Sequence, residues 1–185
     1  MRNTIIVLLL IAQVKTFSQT NSKSMNNYLK ETEILNYSEN SIQSLVKNKK
    51  WLDLDTIQRV KSIYNFVRDE IEFGYNTSDN ITATKVLEDG YGQCNTKATL
   101  LMALLRATGI PNRIHGFTID KALQKGAISG IWYKLSPKSI LHSWVEVYVN
   151  NNWYFLEGVI LDKEYLTKLQ EKNKDCKTTF CGYGA

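Results

Sequence analysis

The 185-residue chain is 43% apolar, 22% charged and 11% aromatic, with two prolines, three cysteines and a formal charge of +5. Such a composition excludes an intrinsically disordered chain and a disulfide-built miniprotein, and it calls for one packed core of about a single domain. A pI near 9.0 invites a nucleic-acid partner. The densest basic patch, however, is only Lys47-Asn48-Lys49-Lys50, with no interleaved aromatic platform before Trp51, so a solvated helix end or loop is the better reading and no nucleic acid is expected.

The first segment reads as a secretory signal peptide over residues 1–18. Arg2 supplies the charged start, Ile5 to Val14 are apolar except for Gln13, and Thr16-Phe17-Ser18 place small residues at a cleavage site. Ten or so apolar residues fall short of the roughly 20 needed to span a bilayer. No cysteine follows the run, so a lipoprotein anchor has no attachment point. The mature chain is expected to be exported, periplasmic or extracellular, with no membrane attachment. Without Arg2 and Lys15 its charge falls to +3, and the basic pI no longer points to any partner.

Residues 19–50 are polar with scattered apolar positions and predict a peripheral helical segment. Asp53 or Asp55 caps a helix carrying Ile57, Val60, Tyr64, Val67 and Ile71 at alternating spacings of three and four. A short helix over Thr82 to Leu87 must end before Gly90-Tyr91-Gly92, where two glycines demand a turn and let the backbone approach a ligand closely. The run from Cys94 to Thr108, closed by Gly109 and Pro111, predicts a helix that is apolar on every side over Leu100 to Leu105 and therefore central. Arg113 to Ile119 and Leu141 to Val149 read as strands. Asn150-Asn151-Asn152 then turn the chain into Trp153 to Glu157 as a hairpin. Asp162 caps a last helix carrying Tyr165, Leu166 and Leu169, and the tail 176–185 closes no element.

Two residues carry the chemistry. Cys94 opens the central helix, where unpaired N–H groups and the helix dipole favour a thiolate, with a pKa below the free value of roughly 8.5. It shares a helical face with Ala98, Leu101, Met102 and Leu105. The bland alternative is a small buried hydrophobe. In an exported protein Cys176 and Cys181 can pair across four intervening residues, which leaves Cys94 as the odd thiol. His142 lies in the strand before the hairpin. His115, the other histidine, reads as strand-packing or cleft-lining, and Trp132 and Trp144 as core or cleft-wall aromatics.

Gly92-Gln93-Cys94 at a helix start, Leu105-Arg106-Ala107-Thr108-Gly109-Ile110-Pro111-Asn112-Arg113, and His142-Ser143-Trp144-Val145-Glu146-Val147-Tyr148 followed by Trp153 together resemble the core blocks of the transglutaminase-like, papain-related superfamily. The resemblance implies an α+β fold, with a buried Cys-bearing helix packed on an antiparallel sheet that carries the histidine and an acid. It implies a triad of Cys94 as nucleophile, His142 as base and an acid after the hairpin. At that place the sequence reads Leu156-Glu157-Gly158, where the family pattern more often has Asp followed by Pro, so the acid is Glu157 by position. Residues 51–175 then form the catalytic domain.

Strand geometry tests that assignment. With Asn150-Asn151 as a two-residue turn, Val149 pairs with Asn152 and Trp153 faces Tyr148. Glu157 then lies opposite Trp144 and diagonal to His142 on the same face, about 7 Å away between backbones. A slip of one residue sends Glu157 to the other face. Glu146, opposite Phe155, competes for the acid role, and Asp162 is better read as a helix cap.

This constellation predicts thiol-dependent acyl transfer on peptide or protein amides. His142 takes the thiol proton, holding the pair as thiolate and imidazolium, Glu157 orients the ring, and a thioester forms. The Cys94 N–H is an oxyanion donor, with Gln93 or Trp144 as candidates for a second. Water as acceptor gives a peptidase or amidase, and an amine gives a transglutaminase. Hydrolysis is favoured slightly, because a small single domain offers no second lobe to shield the thioester. A non-catalytic peptide-binding module using the same cleft is the alternative. No cofactor is called for. A metal site would need Cys94, Cys176, Cys181 and His142 together, which the spacings oppose, and no acidic loop supports calcium.

Overall fold

The computed structural model describes residues 25–124 and 130–172. The leader, Cys176, Cys181 and the tail lie outside the described residues, as do the side chains of Trp132 and Leu169. In chain order the elements are α1 (Asn40–Asn48), α2 (Thr56–Asp69), β1 (Glu72–Phe73), α3 (Ala83–Asp89), β2 (Tyr91–Gly92), α4 (Cys94–Ala107), β3 (Asn112–Asp120), α5 (Gly130–Leu135), β4 (Ser139–Val149), β5 (Asn152–Leu156) and α6 (Lys163–Lys172). The fold is α+β, as expected from the sequence.

Helix α4 is the centre. Every residue from Leu100 to Leu105 is buried, and α1, α2, α3, β3 and β4 surround the helix. A helix without a polar stripe has no stable place except inside such a shell. It stops where Gly109 adopts φ 77° and Pro111 follows. Asp55 caps α2 by accepting from the Gln58 N–H at 2.9 Å. The buried stripe of α2 is Val60, Ile63, Phe66 and Val67, while Ile57 is 44% exposed, so the apolar face is rotated from the predicted one. The segment expected to be peripheral contributes Leu35, Ile42 and Val46 to the main core.

β3, β4 and β5 form an antiparallel sheet in that order. The hairpin has the predicted register, from Val149 opposite Asn152 to Val145 opposite Leu156, with Tyr148 against Trp153 at 5.3 Å between ring centres. Asn150 and Asn151 both take positive φ, 50° and 64°, as a tight two-residue turn between twisted strands requires. Val145, Val147 and Val149 point into the core. The alternate face carries His142, Trp144, Glu146 and Tyr148.

β5 ends at Leu156. Glu157 follows, its carbonyl accepting from the Tyr64 hydroxyl at 2.7 Å, and Gly158 turns the chain with φ 80°. Val159, Ile160 and Leu161 then run buried to Asp162, which caps α6 by accepting from the Tyr165 N–H at 2.7 Å. A second, parallel pair joins β1 to β2. Two residues per strand are too few to leave a periodic signal in sequence, yet this pair closes the base of the loop 74–82 in front of α4.

Candidate active site

Cys94 is the first residue of α4 and only 7% exposed. Its turn is fixed by the Thr96 hydroxyl, which accepts from the Gln93 N–H at 3.0 Å. Gly92 is required for packing. A Cβ there would lie 2.6 Å from the Thr96 hydroxyl and 3.0 Å from the Lys97 side chain. Cys94 packs with Ile160 and Leu161, beside Phe73, Tyr165 and Leu166, in a small cluster apart from the main core. A surface groove of about 780 Å³ runs along the far side of Phe73 and Tyr165, and Cys94 does not line it.

The helix start is tied to the sheet at one position of β4: Cys94 Sγ and the Ser143 hydroxyl both donate to Asn95 Oδ1, at 3.7 and 2.8 Å. Beyond Val145 the β5 ladder has ended, so the edge of β4 at Ser143 is open to the helix start. Ser143 shares the Val145 face of β4, whereas His142 lies on the alternate face against Phe117, so the thiol is brought to the residue next to His142 and no contact between Cys94 and the imidazole is found among the described residues. Burial raises the Cys94 pKa above the ordinary 9.0. The Asn95, Ser143 and Cys94 amides pull the other way and nearby Asp79 adds to the rise. The lowering expected at a helix N-terminus is therefore overturned, because desolvation of the thiolate outweighs the amides.

His142 is 6% exposed, its ring edge-on to Phe117 at 5.3 Å. Burial lowers its pKa below 6.5, and the Glu157 charge opposes that shift. Burial thus favours the neutral thiol and the neutral imidazole and opposes the expected thiolate–imidazolium pair. His142 Nδ1 is buried without a hydrogen-bond partner among the described residues. Glu157 is exposed and lies one residue past the end of β5, so the expected pairing opposite Trp144 is not formed. It acts on His142 through charge, with no hydrogen bond between them among the described residues.

Trp144 lies against Phe117 at 4.2 Å and Phe155 at 5.6 Å and stacks on His115 at 5.2 Å. Its Nε1 is also buried and unpartnered among the described residues. Glu146 is engaged elsewhere: its carboxylate accepts from Arg113 Nε at 2.5 Å and pairs with His115 Nδ1 at 2.8 Å. Those partners hold its carboxyl below the ordinary value although burial alone would raise it. His115 is accordingly a strand-packing residue of that cluster. Gln93 spends one amide N–H on Asp79 and its oxygen on the Asn76 N–H.

Four residues beside the site had no signal in the sequence pattern. Asn95, Ser143 and Asp79 form a polar net around Cys94, and Lys97 lies one turn further along α4. Lys97 is fully buried and donates to the carbonyls of Arg68 (3.0 Å), Ile71 (2.6 Å) and Ile160 (3.2 Å). Burial lowers its pKa to about 8. It ties the end of α2 and the segment before α6 to the cysteine helix.

Residues 43–158 match the family model of the transglutaminase-like superfamily, and the chain belongs to that superfamily. Among solved structures, it is similar to a candidate cysteine protease from Cytophaga hutchinsonii, with 18% sequence identity and a TM-score of 0.58. The likeness covers 74% of this chain and 42% of that one, so the chain spans less than half the length of this neighbour. No curated protein matches the sequence. Family membership supports a cysteine-type enzyme and the thiol-dependent acyl-transfer class of chemistry.

Proposed function

We propose that the protein cleaves peptide or protein amides through a thioester on Cys94, with His142 as general base and Glu157 as the acid that stabilises His142 when it is charged. One observation carries this reading: the buried thiol at the start of α4 shares the acceptor Asn95 Oδ1 with the hydroxyl of Ser143, the residue after a buried histidine with an unpartnered nitrogen. Since burial favours the neutral form of both groups, proton transfer from sulfur to imidazole accompanies attack on the carbonyl and does not precede it. His142 then protonates the departing amine, and water completes the cycle. The Cys94 N–H serves as one oxyanion donor and the indole N–H of Trp144 as the second. The solved neighbour, a candidate cysteine protease, agrees with hydrolysis.

The test is a peptide-amide library incubated with wild type and Cys94→Ala, with products identified by mass. Free acid formed only by wild type supports hydrolysis, and faster incorporation of an added amine transfers the reading to transamidation. The exposed position of Glu157 favours the second reading, a peptide-binding module with a relic site, and inert but peptide-binding wild type would establish it. Residues 1–18 are proposed to direct export, which N-terminal sequencing of the mature protein checks.

A further inference from the structure

We infer that Asp79 is a positioning residue for Cys94, acting by fixing the orientation of the two amide side chains on either side of the thiol; this rests on Cys94 being the nucleophile. Asp79 lies in the loop 74–82, outside every helix and strand. Its Oδ1 accepts from Gln93 Nε2 at 2.7 Å and its Oδ2 from Asn95 Nδ2 at 2.9 Å.

An ionised carboxylate only accepts hydrogen bonds, so both amides must turn their NH₂ groups toward it and their oxygens away. For Gln93 the oxygen then receives the Asn76 N–H at 2.8 Å. For Asn95 the oxygen faces the site. It accepts from Cys94 Sγ at 3.7 Å and from the Ser143 hydroxyl at 2.8 Å. Reversing that amide would set its NH₂ against the thiol and leave the thiol proton without its acceptor. Asp79 thus decides, from a distance, which atom meets the sulfur and how the helix start is tied to the strand beside His142. The loop is held for this purpose at a second point, where Asn76 donates to Asp89 at 3.1 Å and accepts from the Thr96 hydroxyl at 2.6 Å.

Electrostatics argue for a geometric role. A negative charge near a thiol disfavours the thiolate, and Asp79 contributes to the raised pKa of Cys94, as burial does more strongly. A residue selected to activate the sulfur would carry the opposite charge.

The experiment uses full-chain protein, with kcat expressed per Cys94 alkylated by iodoacetamide, read on the Cys94 peptide by mass. Asp79→Asn should lower kcat about tenfold with KM within about twofold, since misplaced reacting groups cost rate more than binding. It should also move the alkylation midpoint of Cys94 to lower pH, because a negative charge is gone. Asp79→Glu, which restores two acceptor oxygens, should recover most of both changes. In an Asn95→Ala background Asp79→Asn should cost little more, since the residue it orients is absent. Unchanged kcat and midpoint in Asp79→Asn, or additive losses in the double variant, overturn the inference. If Asp79→Asn does not fold, Asp79→Glu and Asn95→Ala alone still decide: wild-type kcat in Asn95→Ala overturns it. If wild type shows no Cys94-dependent turnover, the proposed reaction fails, while the alkylation midpoints still report whether Asp79 governs the thiol.

Discussion

On the helix side of the site the polar groups described around the thiol find partners within the chain. Asn95 spans Cys94, Ser143 and Asp79, Thr96 holds Gln93 and Asn76, and Lys97 satisfies three carbonyls. On the strand side two nitrogens, His142 Nδ1 and Trp144 Nε1, are buried without a partner among the described residues. A buried polar atom left unpaired costs about 1–3 kcal/mol. Stability alone would favour partners on both sides. Under the proposed function, the helix half is organised before a substrate arrives and the strand half keeps hydrogen-bonding capacity for one.

Removing the thiol breaks the comparison most severely. Cys94→Ala should reduce turnover on the order of 10⁴-fold or more, as loss of a nucleophile does, while thermal unfolding stays near wild type. Steady-state kinetics and calorimetry on the same preparation separate the two. Trp144→Phe comes next. If its N–H meets the developing oxyanion, kcat falls about 10²-fold with KM little changed. A variant with wild-type kcat would show that the unpaired indole is packing alone.

The satisfied half should respond in stability. Lys97→Met removes the donor to three carbonyls, two of them in buried bonds, and should cost about 3 kcal/mol, read by urea denaturation. Because the folded pKa of Lys97, about 8, lies below the ordinary 10.5, the unfolded chain holds that proton more tightly between the two values. The margin of wild type over Lys97→Met should therefore grow as pH rises from 8 toward 10. Gly92→Ala forces a methyl group onto the Thr96 hydroxyl and should cost about 1–3 kcal/mol in the same assay.

The sequence showed most clearly what local pattern controls. The hairpin register followed from alternating valines and a two-residue Asn turn, and the central helix from a run with no polar face. The family blocks located Cys94 and His142. Contacts made by long-range geometry were not legible. Lys97 reads as an ordinary helix-surface lysine until Arg68, Ile71 and Ile160 are seen around it. Asp79 stands in a loop without periodicity, and its partners are identified only once β1 and β2 close that loop. The upward direction of the thiol's pKa was not legible for a related reason: a helix N-terminus is visible in sequence, whereas the depth at which the sulfur is buried is not.

The smallest expected effect concerns protons and tests whether the two halves meet as neutral groups. Burial lowers the pKa of His142 below 6.5 and raises that of Cys94 above 9.0. Tyr75, Asp79 and Tyr165 also lie near the thiol, and Glu157 acts on the imidazole. A neutral imidazole acting as base gives a kcat/KM profile whose acid limb falls below pH 6.5. Alkylation of Cys94 should rise only above pH 9. A preformed thiolate–imidazolium pair would reverse this, with alkylation already complete near neutrality. The same lowered histidine pKa has a consequence for stability. Below pH 6.5 the unfolded chain protonates at this position before the folded one does, so its contribution is fully present above that pH and is lost as pH falls through the folded value. His142→Gln, titrated by thermal unfolding between pH 7 and 5, should lose less stability over that interval than wild type, and an equal loss would place the imidazole in a more solvated setting than its burial indicates.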